Sequence, residues 1–110
     1  MKEVTSISKK TSDLIHEIKE SSIYKEYHSA LEDLNMFPEL KDLTDEFRKA
    51  KFKAYHSDSP VSFKVFDELE QRREKLAEYP QIDRFLRAEL VLGRALQEIQ
   101  NRITEAMELG

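Results

Sequence analysis

The sequence predicts an all-α protein, an elongated bundle of four to five helices with a long C-terminal helix. Only two glycines and three prolines occur, and no alternating β-branched runs between turn clusters indicate strands. Apolar residues instead recur at intervals of three and four, the period of an amphipathic helix. The last such segment, 80–109, would measure about 45 Å as a straight helix. Because a compact sphere of this chain length is only about 34 Å across, we expect an elongated fold or a second chain that covers the excess.

The composition fits one helical domain over residues 1–110. The chain has 39% apolar and 36% charged residues, too apolar for a disordered segment. Its 18 basic and 22 acidic residues are interleaved, with a net charge of −4, so no global attraction to nucleic acid or to an anionic membrane is expected. The absence of cysteine excludes disulfides and thiolate-ligated metal centres within this chain. With no signal-like or membrane-length apolar run, we expect a soluble cytoplasmic protein.

The first two predicted helices cover about 4–20 and 22–35. The apolar stripe of the first jumps five residues across Ser21 and Ser22, which predicts a kink or a new helix with serine as its N-cap. The first stripe contains Val4, Ile7, Thr11, Leu14 and Ile18, and the second contains Ile23, Tyr24, Tyr27, Ala30, Leu31 and Leu34.

The three prolines are predicted to open the remaining helices, about 38–56, 60–78 and 80–109. Proline suits the first helical turn, where its missing N–H would have no partner. Ser59 is the expected N-cap before Pro60. The three apolar stripes are Leu40, Leu43, Phe47, Ala50 and Ala54; then Val65, Phe66, Leu69 and Leu76; then Phe85, Leu92, Leu96, Ile99, Ile103 and Ala106.

The middle of the last helix, residues 85–96, is apolar on more than one side. A helix that buries only one face would not need this, so we expect neighbours on two faces. The sequence therefore predicts self-association, as a homodimer or larger assembly, through Leu86, Leu90, Val91 and Leu92.

No residue pattern indicates catalysis, a metal or a cofactor. The three histidines, at 16, 28 and 56, lie in different predicted helices. Asp13 and His16 have the spacing of a helical metal site, but no second copy exists and both flank the apolar stripe, which favours a solvated pair. A phosphotransfer role for His16 is the other alternative, although no small residue beside it would let a partner close over the imidazole. We expect a protein that is not an enzyme.

A basic run ends the third predicted helix, with no acidic residue in positions 48–56. Cations beside exposed aromatic rings can follow a phosphate backbone and stack a base. The alternative, which we favour, is that the cations complement the negative end of the helix dipole. The candidate RNA or partner surface consists of Arg48, Lys49, Lys51, Phe52, Lys53 and Tyr55.

The order of these features resembles the YlbF/YmcA family of small helical bacterial proteins. The segments that carry the resemblance are Ile23-Tyr24-x-x-Tyr27-x-x-Ala30-x-x-x-Leu34, Pro38-x-Leu40-x-x-Leu43-x-x-x-Phe47, and Tyr79-Pro80-x-Ile82-x-x-Phe85-x-x-Ala88-Glu89-x-x-Leu92-x-x-x-Leu96-x-x-Ile99-x-x-x-Ile103. Together they span nearly the whole chain.

The resemblance implies a cytoplasmic, oligomeric, non-enzymatic regulator. The best-known members form a complex with one another and a third protein, steer ribonuclease Y in mRNA processing, and affect competence, sporulation and biofilm formation. Those members are associated with iron–sulfur clusters, whereas this chain has no cysteine. It is therefore more similar to the cysteine-free relatives. The leading expectation is an adaptor that contacts family paralogues or a ribonuclease complex, without a membrane; the alternative is a direct RNA-binding module that uses residues 48–56.

Overall fold

The computed structural model describes residues 2–60 and 62–109, which form five α-helices and no strand. This confirms the all-α prediction. The helices are α1 (Lys2–Glu20), α2 (Ser22–Asn35), α3 (Pro38–Tyr55), α4 (Phe63–Leu76) and α5 (Pro80–Ala106).

The chain divides into two compact units. Unit 1 comprises Met1–Ser29 and Ala88–Gly110, and unit 2 comprises Ala30–Arg87. Unit 1 therefore contains α1, the start of α2 and most of α5, whereas unit 2 contains the end of α2, all of α3 and α4, and the first turns of α5.

Unit 2 has a well-defined apolar core. Side chains from four helices contribute to it, and the largest that are fully buried are Phe85, Leu34 and Ile82. A buried aliphatic or aromatic side chain typically contributes about 1.5–3 kcal/mol, so this core accounts for much of the stability of unit 2. Among the described residues of unit 2, the buried apolar ones are Ala30, Leu34, Phe47, Leu76, Ile82, Phe85 and Leu86.

The core-facing side of α3 differs by one position from the prediction. Leu43, expected in the stripe, is 39% exposed, whereas its neighbour Thr44 is fully buried. The Oγ1 hydroxyl of Thr44 donates a hydrogen bond to the Leu40 carbonyl oxygen at 2.8 Å. Because the hydroxyl finds its partner within its own helix, threonine can be buried here without an unsatisfied polar group.

A serine cap separates α1 from α2, as the sequence predicted. The Oγ of Ser21 accepts a hydrogen bond from the Tyr24 N–H at 3.2 Å, the geometry of an N-cap residue. The same hydroxyl donates to the Ile18 carbonyl oxygen. Ser21 thus caps the start of α2 and also satisfies a carbonyl near the end of α1.

Two of the three prolines begin helices. Pro38 starts α3 and Pro80 starts α5, whereas the prediction that Ser59 caps a helix starting at Pro60 is wrong. Ser62 immediately precedes α4 and is extended, with φ −66° and ψ 150°, so α4 begins only at Phe63. The Ser59 N–H instead donates to Ser57 Oγ at 3.2 Å, a local turn that competes with helix formation.

The long helix ends three residues before the predicted position 109. After Ala106, Glu108 has a positive φ of 58°. The Leu109 N–H bonds to the Thr104 carbonyl oxygen at 3.1 Å, and the Glu108 N–H bonds to that of Glu105 at 3.0 Å. This is a Schellman motif, which terminates a helix by satisfying its last carbonyls.

Candidate interaction surfaces

The first candidate surface is an apolar stripe along α1. No residue of α1 is buried, and Ile7 is 67% exposed. The apolar residues recur every three or four positions, so they share one side of the helix. We call this set the α1 stripe; its large exposed members are Val4, Ile7, Leu14 and Ile15.

A second stripe follows α5 through unit 1. Leu92 and Ile99 are partly buried, whereas Leu96 and Ile103 are exposed. These four residues, at spacings of four, three and four, form what we call the α5 stripe. Two further exposed residues, Leu90 and Val91, lie on other sides of the helix, since successive residues are about 100° apart.

The four residues predicted for self-association are not equivalent. Leu90 and Val91 are about half exposed, and Leu92 is partly buried. Leu86 is only 6% exposed and belongs to the core of unit 2. It is therefore unavailable to a partner, and we remove it from the proposed interface.

A third surface occupies the end of α3. Lys49, Phe52, Lys53 and His56 stand at positions i, i+3, i+4 and i+7, which places them on one side of the helix. All four are exposed, Phe52 by 62%. The Phe52 and His56 rings are stacked, with centroids 3.9 Å apart and planes 17° apart. We call this set the α3 patch.

The other predicted members of the basic run have partners. The Arg48 guanidinium lies 5.5 Å from the centroid of the Phe85 ring and 3.8 Å from an Asp45 carboxylate oxygen. The Lys51 ammonium lies 5.9 Å from the Tyr55 ring centroid.

Tyr55 is 65% exposed, yet its ring meets that of Phe66 in α4 edge-on, with centroids 5.1 Å apart. Both aromatic residues predicted to lie off the core, Phe52 and Tyr55, are thus exposed. The structure separates them, because Phe52 belongs to the α3 patch and Tyr55 packs against α4.

Carboxylates next to the α3 patch are paired with other cations. Asp45 accepts a hydrogen bond from the Lys41 ammonium at 2.6 Å, and Glu46 lies 3.8 Å from Arg72. Within residues 2–60 and 62–109, neither Lys49 nor Lys53 forms an ion pair. Both ammonium groups therefore remain available to an anionic partner.

Sequence reasoning found the lysines and Phe52 but missed the part played by His56. The signal was the spacing of Phe52 and His56, four residues apart, at which aromatic rings on a helix meet. Sequence reasoning also missed the exposure of α1. An apolar stripe has the same spacing in the sequence whether or not other residues of the chain cover it.

The described residues contain no group of three or more His, Cys, Asp or Glu side chains arranged to hold a metal ion. The iron–sulfur clusters associated with the best-known YlbF/YmcA proteins also do not fit the donor set of this chain, since the whole sequence lacks cysteine. Asp13 and His16 are both exposed on α1. None of the helices built from the described residues combines the length and apolar character needed to span a membrane.

These features define an all-α protein whose exposed helices carry apolar stripes and one basic aromatic patch. The sequence profile of the family described as "Control of competence regulator ComK, YlbF/YmcA" matches residues 7–108. The chain belongs to this family, a regulatory family associated with competence.

Two curated relatives are both named UPF0342 protein. The one from Caldicellulosiruptor bescii is 26% identical over 100 residues, which cover 87% of this chain and 83% of the relative. The one from Caldicellulosiruptor saccharolyticus is 27% identical over 101 residues, covering 88% and 83%. No solved structure matches the chain.

Proposed function

We propose that the chain is a non-enzymatic regulatory protein that acts through protein–protein contacts, beginning with a second copy of itself. The observation that carries this proposal is the exposure of the α1 stripe and the α5 stripe in unit 1. Monomeric proteins rarely expose a contiguous apolar patch larger than about 300–600 Å². Two apolar helical stripes on one unit are the kind of surface that helices bury against one another.

A second copy suits these stripes because it presents the same two stripes. In a two-fold dimer the surface of one protomer must complement itself, so α1 of one copy facing α5 of the other would cover both stripes twice. A stable interface of standard size buries about 800 Å² on each partner. On α1 and the unit 1 part of α5, eight large exposed apolar side chains are available for such an interface: Val4, Ile7, Leu14, Ile15, Leu90, Val91, Leu96 and Ile103.

Light scattering coupled to size exclusion tests this step. We expect a dimer or larger assembly from the unmodified chain and a monomer, or insoluble protein, from Leu96→Asp with Ile103→Asp. The control is Gln97→Asp with Asn101→Asp, which adds the same two charges to another side of α5. A monomeric unmodified chain, or full assembly of Leu96→Asp with Ile103→Asp, would contradict the proposal. Equal loss of assembly in both variants would mean that the interface also includes the side of α5 that carries Leu90, since Gln97 and Asn101 lie on that side.

A second double variant tests which side of α5 a second copy of the chain covers. Leu90→Asp with Val91→Asp should also give a monomer if Leu90 and Val91 belong to the interface. An unchanged dimer would remove these two residues and leave the α5 stripe, with Leu92, as the surface.

The further partners that we propose rest on the family. By resemblance to the best-known members, the assembled protein acts in the cytoplasm as an adaptor. It contacts family paralogues or a ribonuclease Y complex, and thereby influences mRNA processing in competence, sporulation and biofilm formation. The support is the family description, which names control of a competence regulator.

Affinity purification of the tagged full chain from its own cell extract tests the adaptor role, with mass spectrometry as the readout. We expect a paralogue or a ribonuclease to be captured, to survive nuclease treatment and to be lost with the variant Leu96→Asp with Ile103→Asp. The variant Gln97→Asp with Asn101→Asp should retain the partner. Recovery of the bait alone would contradict the adaptor function while leaving self-association to be judged by light scattering.

A further inference from the structure

We propose that the α3 patch binds single-stranded nucleic acid, with phosphates on Lys49 and Lys53 and a base stacked on Phe52. The inference is independent of self-association, since the patch lies in unit 2 and the apolar stripes lie in unit 1. It rests on three observations: two lysines that form no ion pair among the described residues, an exposed aromatic ring on the same side of the helix, and a histidine whose ring is stacked on it.

The two lysines provide the anion-binding part of the patch. They stand four residues apart, a rise of about 6 Å along the helix, and adjacent phosphates of an extended single strand can match this spacing. Neither lysine forms an ion pair among the described residues. Binding a phosphate therefore breaks no existing salt bridge and releases counterions from the nucleic acid.

Phe52 provides the stacking part. Its ring is mostly exposed, yet it lies against the His56 imidazole. The His56 Nδ1 is 3.0 Å from the Phe52 carbonyl oxygen. Because that oxygen can only accept, Nδ1 carries the proton in this contact. The hydrogen bond restrains the His56 imidazole, and the stack on that imidazole restrains the Phe52 ring, so less side-chain freedom is left to lose when a base stacks on Phe52.

The combination of lysines and an exposed aromatic ring favours single-stranded nucleic acid over two other anionic partners, an acidic peptide and a nucleic-acid duplex. An acidic peptide would use the lysines but gain little from an exposed aromatic platform. In a duplex the base faces are already stacked on one another and cannot stack on Phe52, and proteins recognise double-stranded RNA mainly through its shape and backbone. Single strands offer both phosphates and free base faces, and stacking on aromatic side chains is tolerant of sequence. We therefore expect weak sequence preference.

The proposal is tested by fluorescence anisotropy with the full chain and a labelled oligouridine of about 12 nucleotides. An oligothymidine of the same length is measured alongside it to compare DNA with RNA. Affinity should fall as salt rises between about 50 and 200 mM. Lys49→Glu with Lys53→Glu should weaken binding more than tenfold and reduce the slope of log affinity against log salt by about 1.4, which corresponds to two phosphate contacts. Phe52→Ala should weaken binding about tenfold without changing this slope.

The matched control is Lys9→Glu with Lys19→Glu, two exposed lysines of α1. Each exchange changes the charge by two, so both double variants carry the same net charge and differ only in where the charge changes. We expect the control to bind nearly as tightly as the unmodified chain. Circular dichroism should show all variants folded, because every substituted side chain is exposed.

Several outcomes would overturn the proposal: no binding at the lowest salt, equal weakening by the α1 control, or tighter binding of duplex than of single strands. Full displacement of the oligonucleotide by oligoglutamate, together with no effect of Phe52→Ala, would show that the patch recognises charge alone and that an acidic peptide is its partner. Equal affinity for oligouridine and oligothymidine would retain the proposal, whereas a clear difference would identify which of the two nucleic acids the patch prefers.

Discussion

The imidazole of His56 lies flat against the ring of Phe52 and also bonds to the backbone of that residue. The Phe52 carbonyl oxygen receives the His56 backbone N–H at 3.0 Å and contacts Nδ1 of the same histidine at 3.0 Å. His56 is therefore both the C-cap of α3 and a support for the exposed Phe52 ring on that helix. The end of α3 and the presentation of the α3 patch thus involve the same residue, through its backbone N–H and its imidazole respectively.

His56→Ala should lower the free energy of unfolding by about 0.5–1 kcal/mol, because the variant loses one exposed hydrogen bond and one ring contact. Urea unfolding followed by circular dichroism measures this. His16→Ala is the control, since it removes an exposed histidine from the interior of α1 and should be neutral or slightly stabilising. An unchanged free energy for His56→Ala would show that the contact does not stabilise α3.

Two substitutions of Thr44 separate the contribution of its hydroxyl group from that of its methyl group. Its hydroxyl is satisfied within α3, whereas its methyl group is buried. Thr44→Val keeps a methyl group in the core and should leave the free energy of unfolding unchanged or raise it by up to about 1 kcal/mol. Thr44→Ser removes that methyl group and should cost about 1 kcal/mol. Thermal unfolding of both variants measures the difference, and a more stable serine variant would contradict the assignment.

Ser21 should be the most sensitive serine at the junction of α1 and α2. Ser21→Ala removes the acceptor for the Tyr24 N–H and should cost about 0.5–2 kcal/mol. Ser22→Ala, one residue later, places alanine at the first helical position and should change stability very little. Urea unfolding of the two variants compares them directly, and equal losses would mean that capping does not explain the boundary.

Sequence periodicity predicted the helical architecture well because each amphipathic helix reports its own buried side. Pro38, Pro80 and Ser21 were also predictable, since their effects arise within a few residues of backbone. Leu43 and Thr44 were not, because two neighbouring positions both border the stripe and only packing decides which is buried. Leu86 illustrates the same limit. The sequence shows that this residue is apolar and lies on α5 but cannot show that it is buried in the core of unit 2.

The division of the basic run was only partly within reach of the sequence. Arg48 lies near Asp45 and Lys51 near Tyr55, at spacings of three and four residues within α3 that a local pattern contains. The contacts of Arg48 with Phe85 and of Tyr55 with Phe66 join α3 to α5 and α4, and no local pattern contains that information.

Replacement of Glu108 by glycine should stabilise the folded protein. It adopts a positive φ of 58°, which costs roughly 1 kcal/mol for a residue with a Cβ atom. Glu108→Gly removes this cost and should raise the free energy of unfolding by up to about 1 kcal/mol. Glu105→Gly, inside the last turn of α5, should instead lower it by about the same amount. Urea unfolding measures both changes, and a loss of stability in Glu108→Gly would contradict the Schellman assignment.

Gly93 links the stability of α5 to the proposed dimer. It is exposed in the interior of the helix, and a Cβ atom built there meets no heavy atom of the described residues within 4 Å. Gly93→Ala should therefore raise the free energy of unfolding by about 0.5–1 kcal/mol, since glycine is a poor helix former.

The oligomeric state of the same variant gives independent information about the interface. Gly93 is rotated by about 100° from Leu92, so a partner that covers the α5 stripe need not approach Gly93 closely. We expect Gly93→Ala to remain fully assembled in light scattering at every protein concentration at which the unmodified chain is assembled. Dissociation at higher concentrations than the unmodified chain would mean that a partner backbone packs directly against Gly93. The interface would then have to include the side of α5 that carries Leu90 as well as the α5 stripe.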